Sequence, residues 1–305
     1  MKTLYVNRAP VDGPWGGGNN FIKAVYKYAA TFGYQIVDKI INDVDVILIT
    51  DPRYDDVKKF SMNEAIRYKQ AFPKTKVVYR VNECDKRKGE TEIIDPLIRE
   101  TSKNSDLTIF VSKWLQDLHE MSNIVYKKSA IIHNGVDKEL FKKYNKLSEI
   151  DGKIHLVTHH WSNNPFKGHD VYKEIDKMIA DEPNITFTYI GRSHDVLDHS
   201  KVIRPLHGEE LAKCLSIHDI YISGSRFDPG PNHVLESLAC ELPTYVHKDG
   251  GGGVELAGAD HSFDNVLDLF EMIKERKVTH NNVTVESWRS CMKLYFAELD
   301  RLHQD

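Results

Sequence analysis

The chain of 305 residues has few cysteines, no long apolar run and no excess of positive charge. A membrane span needs about 18 or more consecutive apolar residues, so no span is predicted. The four cysteines lie far apart without C-x-x-C or Cys/His metal spacing, which is typical of reduced thiols in a cytoplasmic protein. With 41 basic and 45 acidic residues, the net charge of −4 argues against nucleic acid or an anionic membrane as partner.

Signatures of many cofactor and metal enzymes are also missing. The chain has no G-x-G-x-x-G fingerprint, no G-K-[ST] P-loop ending and no H-E-x-x-H motif. Its fifteen histidines are dispersed, and the D-x-D-like "DVDV" at 43–46 leads straight into an apolar run. The sequence therefore predicts neither a bound metal nor a cofactor.

Short apolar runs alternate with stretches of helical periodicity, such as 19–33 and 113–121. The runs that predict buried strands are "TLYV", "DVILIT", "KVVYRV", "DLTIFV", "SAIIHN", "IHLVT", "ITFTYIG", "KVIRPL", "DIYISGS" and "PTYVH". This alternation predicts an α/β fold with parallel sheets covered by helices on both faces.

A polar segment at 142–153 interrupts the pattern, which then restarts. We therefore predict two doubly wound, Rossmann-like domains, at 1–146 and 150–283. An amphipathic helix at 284–305 follows, which could pack back on the N-terminal domain.

Three loops that follow predicted strands carry residues suited to anion binding. Gly16, Gly17 and Gly18 remove side chains next to a helix start, although a plain tight turn explains them equally well. Lys167 precedes Gly168 at another helix start and could meet a phosphate or remain solvated. Basic runs such as "DKRKGE" are predicted to be solvated faces.

The third loop lies within "SRFDPGPNHVLESLACELP", residues 225–243. A helix is predicted to begin close to Asn232 or His233, because proline favours helix entry and is barred from the interior. Asp228 then lies in the loop and Glu236 on the first or second turn. On local grounds alone, both carboxylates could simply cap the helix and offset its dipole.

The order and spacing of "VSKWLQDLHE", "AIIHNGVDKELF", "PFKGHD" and "DPGPNHVLESLACELPTYVHKDGGGGVEL" resemble the retaining glycosyltransferases of family four, which use nucleotide sugars on a GT-B fold. The likeness runs from about residue 105 to 258. The family pattern is an acid, seven residues and a Glu, then a strand entry and a Gly-rich stretch ending in Glu. Asp228, Glu236, "ACELP" and "GGGGVE" match it.

The resemblance implies two Rossmann-like domains facing a central cleft, the N-terminal one binding the acceptor and the C-terminal one the nucleotide sugar. The implied reaction transfers a sugar, with retention and without metal, from a nucleoside-diphosphate sugar to a hydroxyl of a glycan, lipid or protein-linked acceptor. Glu236 would accept hydrogen bonds from ribose hydroxyls, Asp228 would bind the sugar, and Lys167 would neutralise the diphosphate. Further donor contacts are expected from Gly16, Gly17, Gly18, Gly230, Pro231, Asn232 and His233.

The chain departs from the family at three places. Asp228 stands where Glu is usual, and His159 and His160 stand near the position of a family Arg, so Arg192 or a charged histidine would supply the second cation. Asn82 replaces a catalytic-site His. Acceptor contacts are expected from Trp15, Arg80, Glu83 and Asp85, whereas the alternative for the cluster after the "VVYRV" strand is a salt-bridged loop.

Base recognition is expected near 191–194 and 206–211. Two other functions fit the same sequence: a non-catalytic sugar-nucleotide or glycan-binding module, and another GT-B enzyme such as a sugar-nucleotide epimerase or a phosphorylase. The pattern does not specify the base, the sugar, the acceptor or the oligomeric state.

Overall fold

The computed structural model describes residues 1–13, 16–144, 146–162, 164–193, 196–275 and 277–304. Within these ranges the strands are β1 (Lys2–Val6), β2 (Tyr34–Val37), β3 (Val46–Ile49), β4 (Lys76–Val81), β5 (Leu107–Phe110), β6 (Ser129–Ile131), β7 (Ile154–His160), β8 (Ile185–Gly191), β9 (Lys201–Ile203), β10 (Ile220–Ser223), β11 (Thr244–His247) and β12 (Ser262–Phe263). The helices are α1 (Gly17–Tyr28), α2 (Met62–Ala71), α3 (Asp95–Asn104), α4 (Lys113–Met121), α5 (Ser148–Asp151), α6 (His169–Ile179), α7 (Gly208–Ser216), α8 (Asn232–Ala239), α9 (Gly252–Ala257), α10 (Val266–Lys274) and α11 (Trp288–Arg301).

The chain divides into two compact units. Unit 1 comprises Met1–Lys86, Glu90–Gly135 and Glu286–Asp305, and unit 2 comprises Arg87–Gly89 and Val136–Val285. The change of unit after Gly135 precedes the polar segment at 142–153. That segment is attached to unit 2, because Leu147 N–H donates to the carbonyl of Ile217 at 2.8 Å. It therefore does not act as a free linker.

Each unit holds one six-stranded sheet in which every strand pair is parallel. The strand order is β2-β1-β3-β4-β5-β6 in unit 1 and β12-β11-β10-β7-β8-β9 in unit 2. Every predicted strand is present, which confirms the α/β class. The two strands that the sequence analysis did not identify, β2 and β12, lie at sheet edges.

The core of unit 1 includes the helix near the C-terminus of the chain. Helix α11 buries side chains at three- and four-residue intervals, among them Met292, Tyr295 and Leu299. The ring of Tyr295 packs against Phe21 of α1, with centroids 4.8 Å apart. Among the described residues, no helix is both long and apolar enough to cross a membrane.

Candidate functional site

The strand order of unit 2 creates a crevice between β7 and β10. These strands are neighbours, and from them the chain winds outward in opposite directions, to β8 and β9 on one side and to β11 and β12 on the other. Ligands of doubly wound sheets bind at such a switch point, beyond the carboxyl ends of the strands. The residues that follow His160 of β7 and Ser223 of β10 are therefore the first to consider.

A buried ion pair lies where these two loops meet. Lys167 Nζ is 2.5 Å from Asp228 Oδ2, and the two side chains are only 11% and 8% exposed. Glycines allow this approach, since a Cβ on Gly168 would lie 2.4 Å from the carbonyl carbon of Gly224. Gly168 also has a φ of 87°, which favours glycine. The backbone geometry thus places the lysine beside the carboxylate.

The Gly-rich stretch before α9 supports the loop that carries Asp228. Gly252 N–H donates to the carbonyl of Asp228 at 2.9 Å. Gly251 has a φ of 67°, and a Cβ there would lie 2.7 Å from the same carbonyl oxygen. The "GGGGVE" segment is therefore required for close backbone packing, in addition to any role in binding.

Each group of the pair favours the charged form of the other. Burial raises the pKa of Asp228, but the positive charges of Lys167 and Arg87 outweigh burial and lower it to about 2. Burial lowers the pKa of Lys167, and Arg87 adds to this effect, whereas Asp228 opposes it. The carboxylate and the ammonium cancel each other's charge, which leaves Arg87 as the additional positive charge near the pair.

Arg87 is a residue that the sequence analysis missed. It lies in the "DKRKGE" run, which was predicted to be a solvated face, yet its side chain is half-buried and it belongs to unit 2. Asn164 Nδ2 donates to the carbonyl of Arg87 at 3.1 Å. Gly89 lies against Phe166, so close that an added Cβ would be 2.8 Å from the ring. The signal available in the sequence was a basic run shortly after a buried strand.

Helix α8 begins at Asn232, as predicted, and its N-terminus is open. Its N-cap residue is Pro231, no side chain caps it, and its first turn has no acidic residue. Gly230 N–H points toward Asp228 Oδ1 at 3.4 Å. Uncapped N–H groups at a positive helix end suit an anion, so the role assigned to Gly230, Pro231, Asn232 and His233 stays a prediction with a suitable geometry.

Glu236 is bound by a histidine. Its Oε2 is 2.8 Å from His159 Nε2, and the two side chains are 16% and 10% exposed. His233 lies one turn earlier on α8 and bonds Ser223 Oγ at 2.9 Å. Because residues three apart share a helix face, α8 presents both side chains toward the end of β7.

The neighbouring histidines are neutral. Burial, followed by nearby charged groups, holds the pKa of His160 and of His233 well below the ordinary value. His160 Nε2 is hydrogen-bonded to the hydroxyl of Tyr172. His160 therefore does not replace the missing family Arg as a cation. The other predicted substitute, Arg192, is exposed and lies 4.6 Å from the ring centroid of Trp161.

In unit 1, the structure brings Gly18 and Asn82 together. Gly16 is the N-cap of α1, which has no acidic residue in its first turn. A Cβ on Gly18 would lie 3.5 Å from Asn82 Nδ2, so the first turn of α1 faces the end of β4. Gly17 is the first residue of this helix, and Trp15 lies outside the described residues. The predicted roles of these residues stay predictions.

The other expected acceptor residues are bound within unit 1. Arg80 is 1% exposed, donates to Asn134 Oδ1 at 2.8 Å and stacks on Phe21. Glu83 Oε2 is 2.9 Å from Arg53 Nη2.

Asp85 is 2% exposed and accepts backbone N–H bonds from Ile93 and Ile94 at 2.9 and 2.7 Å. These bonds lower its pKa although burial raises it. The alternative of a salt-bridged loop therefore describes Glu83, and Asp85 orders the start of α3.

Comparisons with solved structures identify the fold. Over 100% of this chain and 97% of the other, the structure is similar to Anabaena HepE in complex with UDP and glucose, with a TM-score of 0.68 and 13% identity. Sucrose-phosphate synthase from Thermosynechococcus elongatus gives a TM-score of 0.66 at 12% identity over 99% and 95% of the two chains. The chain has the GT-B fold.

A third GT-B structure, the pneumococcal O-GlcNAc transferase GtfA in complex with UDP and GlcNAc, gives a TM-score of 0.59 at 12% identity. This match covers 85% of the present chain and 57% of GtfA. No protein-family model and no curated protein sequence matches the chain. At these identities the likeness establishes the GT-B fold and does not by itself establish an activity.

A second cluster of charges in this GT-B chain was not predicted. At the switch point of unit 1, beyond β1 and β3, Arg8 contacts Asp55 at 2.5 Å and Asp51 at 3.4 Å. Arg53 joins the same cluster through Asp51 at 3.1 Å. Among the described residues of either unit, no group of three or more His, Cys, Asp or Glu side chains is arranged to hold a metal ion.

Proposed function

We propose that the chain is a retaining glycosyltransferase of family four that transfers a sugar from a nucleoside-diphosphate sugar without a metal ion. The observation that carries the proposal is the buried Lys167–Asp228 pair beside Arg87, at the switch point of unit 2. The GT-B neighbours described above include two proteins whose structures contain UDP, which supports a nucleotide-sugar donor.

The charges of the site suit a diphosphate. Lys167 and Asp228 together contribute no net charge, so Arg87 and the uncapped N-terminus of α8 supply the positive potential. When a diphosphate binds, Lys167 can meet one of its oxygens while keeping contact with Asp228. A site with these groups needs no divalent cation to neutralise the leaving group.

In the proposed reaction, an acceptor hydroxyl forms a new bond to the anomeric carbon. The bond from that carbon to the diphosphate oxygen breaks, and its electron pair leaves with the nucleoside diphosphate. The acceptor proton moves to a diphosphate oxygen on the same face of the sugar, which gives retention. Lys167 stabilises the growing negative charge, and Asp228 Oδ1 orients the sugar through its hydroxyls.

Further residues are assigned to the ribose, the diphosphate and the acceptor. Glu236 accepts hydrogen bonds from the ribose, and backbone N–H groups at 230–233 bind the diphosphate or the sugar. The α1 N-terminus at Gly16 to Gly18 and Asn82 contact the donor or the acceptor in unit 1. The acceptor is a glycan, a lipid or a protein-linked sugar.

One observation favours a second candidate, a non-catalytic module that binds a sugar nucleotide. Asn82 cannot act as the acid or base that a family His would provide, because its amide does not titrate. In this case the chain would bind nucleotide sugars without turning them over.

The test is release of nucleoside diphosphate from UDP-, ADP- and GDP-glucose, with and without a mixture of oligosaccharide, glycolipid and glycopeptide acceptors. We expect release that depends on acceptor, persists in EDTA and is lost in Lys167→Ala. Lys277→Ala is the matched control, because its exposed pair with Glu275 at 2.5 Å follows α10 and lies outside the segments assigned to the site. Binding without release would support the non-catalytic module, and an epimerised donor without acceptor would support an epimerase.

A further inference from the structure

The contact between His159 and Glu236 links the end of β7 to the face of α8. A carboxylate can only accept hydrogen bonds, so the 2.8 Å contact requires a proton on His159 Nε2. One oxygen of Glu236 is thereby engaged, and the other is left to accept from a ligand. Among the described residues, the structure shows this one hydrogen bond to the side chain of Glu236.

The backbone of His159 is hydrogen-bonded and its ring is packed between two other rings. The hydroxyl of Tyr221 accepts from the backbone N–H of His159 at 3.3 Å and lies 3.4 Å from the backbone carbonyl oxygen of His159. The ring of Tyr221 meets the imidazole edge-on at 5.5 Å, and that of His233 does so at 6.0 Å. His159 is 8% exposed, so its imidazole has little freedom to turn away from Glu236.

We propose that His159 is a positioning residue that orients the Glu236 carboxylate toward the two ribose hydroxyls of the donor and so makes the site select ribonucleotides. The inference rests on the proposed function, in which Glu236 binds the ribose. A flexible Glu side chain loses rotamer entropy when its carboxylate binds a ligand. An N–H donor that already holds the carboxylate in place reduces this entropy loss on binding. His159 thereby acts through Glu236, without contacting the ligand.

This role differs from a purely structural one in what it predicts. A histidine that only stabilises the fold would weaken all ligands together when replaced. A histidine that orients Glu236 would weaken ligands with ribose hydroxyls and leave ligands without them nearly unaffected. The ratio of the two affinities is therefore the informative quantity.

The experiment measures binding of UDP, ADP and GDP, each paired with its 2′,3′-dideoxy analogue, by titration calorimetry. Charge-assisted hydrogen bonds to the ribose should give the wild type a preference of about tenfold or more for one ribonucleotide. His159→Phe should bring this preference close to unity, because Phe fills the space but cannot donate. His159→Gln should keep most of it, because the side-chain amide can donate to Glu236.

The chain offers a matched control on the same strand. His155 is also buried, and its Nε2 is 3.0 Å from the Asp151 carboxylate at the opposite end of β7. His155→Phe removes an equivalent histidine–carboxylate pair and should keep the wild-type preference.

The outcomes separate the inference from the function on which it rests. If His159→Phe keeps the ribose preference of the wild type, the inference is overturned and the proposed function stands. If the wild type binds a diphosphate without any ribose preference, the inference is overturned together with the assignment of Glu236 to the ribose, while the proposed transfer reaction stands. If the wild type binds none of the diphosphates, the proposed function is overturned, and the inference fails with it.

Discussion

The two units share a six-stranded parallel sheet but use the polar residues at their strand ends differently. In unit 1 these residues are bound to one another or to the backbone: Glu83 pairs with Arg53, and Asp85 accepts N–H groups at the start of α3. In unit 2, a lysine and an aspartate are buried as an ion pair beside neutral histidines.

Most histidines of the chain also belong to unit 2. Of the fifteen histidines of the chain, only three, His119, His133 and His303, belong to unit 1. Burying a charge or an imidazole costs stability unless the group is paired or hydrogen-bonded, and such groups cluster at functional sites, so their concentration makes unit 2 the candidate for the proposed chemistry. The comparison predicts that equivalent substitutions in the two units have unequal effects.

The largest difference is expected for lysines in ion pairs. Lys167→Ala leaves Asp228 buried without its main partner, which should cost about 3–5 kcal/mol in the free energy of unfolding. Lys69, in unit 1, is 28% exposed, and its partner Asp106 also contacts Lys127 and the N–H of Val77. Lys69→Ala should therefore cost only about 1 kcal/mol or less. Urea denaturation measures both changes.

The same variant tests the assigned chemistry. Lys167→Ala should weaken nucleoside diphosphate binding by about tenfold or more, while the nucleoside alone binds as before, since only the diphosphate presents the charge. Adding Asp228→Asn to Lys167→Ala should restore much of the stability and none of the transfer activity. Equal loss of nucleoside and diphosphate binding would mean that Lys167 only maintains the structure.

The second expected difference between the units is the loss of stability at low pH. Burial, only partly opposed by a hydrogen bond to the carbonyl of Cys214, lowers the pKa of His218 in unit 2 from 6.5 to about 4. The unfolded chain therefore takes up this proton first, and stability is lost as pH falls from about 6.5 toward 4. The contribution of this one group is about 3 kcal/mol.

The prediction is checked by urea denaturation of the wild type and His218→Gln at pH 7 and pH 4. The variant should be less stable at pH 7 but should lose less stability on acidification. Hydrogen exchange at pH 5 should show that segments of unit 2 lose protection before those of unit 1. Simultaneous loss in both units would contradict the contrast drawn between them.

A third comparison uses two glycines with positive φ. Gly33 in unit 1 has a φ of 84° and open space at its Cβ position, whereas Gly251 in unit 2 has a φ of 67° and faces the carbonyl of Asp228. Gly33→Ala should cost about 1 kcal/mol for backbone strain alone. Gly251→Ala should cost about 2–3 kcal/mol and should also reduce transfer, because the Asp228 loop must shift. Thermal denaturation and the release assay measure the two effects.

The sequence predicted the parts of this structure that are local. Buried parallel strands are continuous apolar runs, so they could be identified, whereas the edge strand β2 has exposed residues and lacks that pattern. Helix α8 could be placed because the prolines before Asn232 limit where a helix starts.

Contacts between distant segments could not be predicted in this way. His159 bonds Glu236 across 77 residues of sequence, and no local pattern marks either residue as the partner of the other. The same separation divides Arg87 from Asn164. The Gly-rich stretch was noted for its likeness to a family, but its packing against the Asp228 carbonyl follows only from the fold.

The smallest expected effect concerns the fit of the buried carboxylate itself. Asp228 is 6% exposed, its Oδ2 already contacts Lys167 at 2.5 Å, and Gly251 lies against its backbone. Asp228→Glu adds one methylene to this full site, which should cost about 1–3 kcal/mol through overpacking.

The longer side chain keeps the charge and can still reach the lysine and the sugar. Transfer should therefore fall but remain measurable, whereas Asp228→Asn should lower turnover further, since it weakens the ion pair and the orientation of the sugar. Steady-state kinetics with the preferred donor separate these cases. If Asp228→Ala transfers at the full rate and only melts at a lower temperature, the carboxylate is a structural group. The contrast between the two units would then give no reason to place the proposed reaction in unit 2.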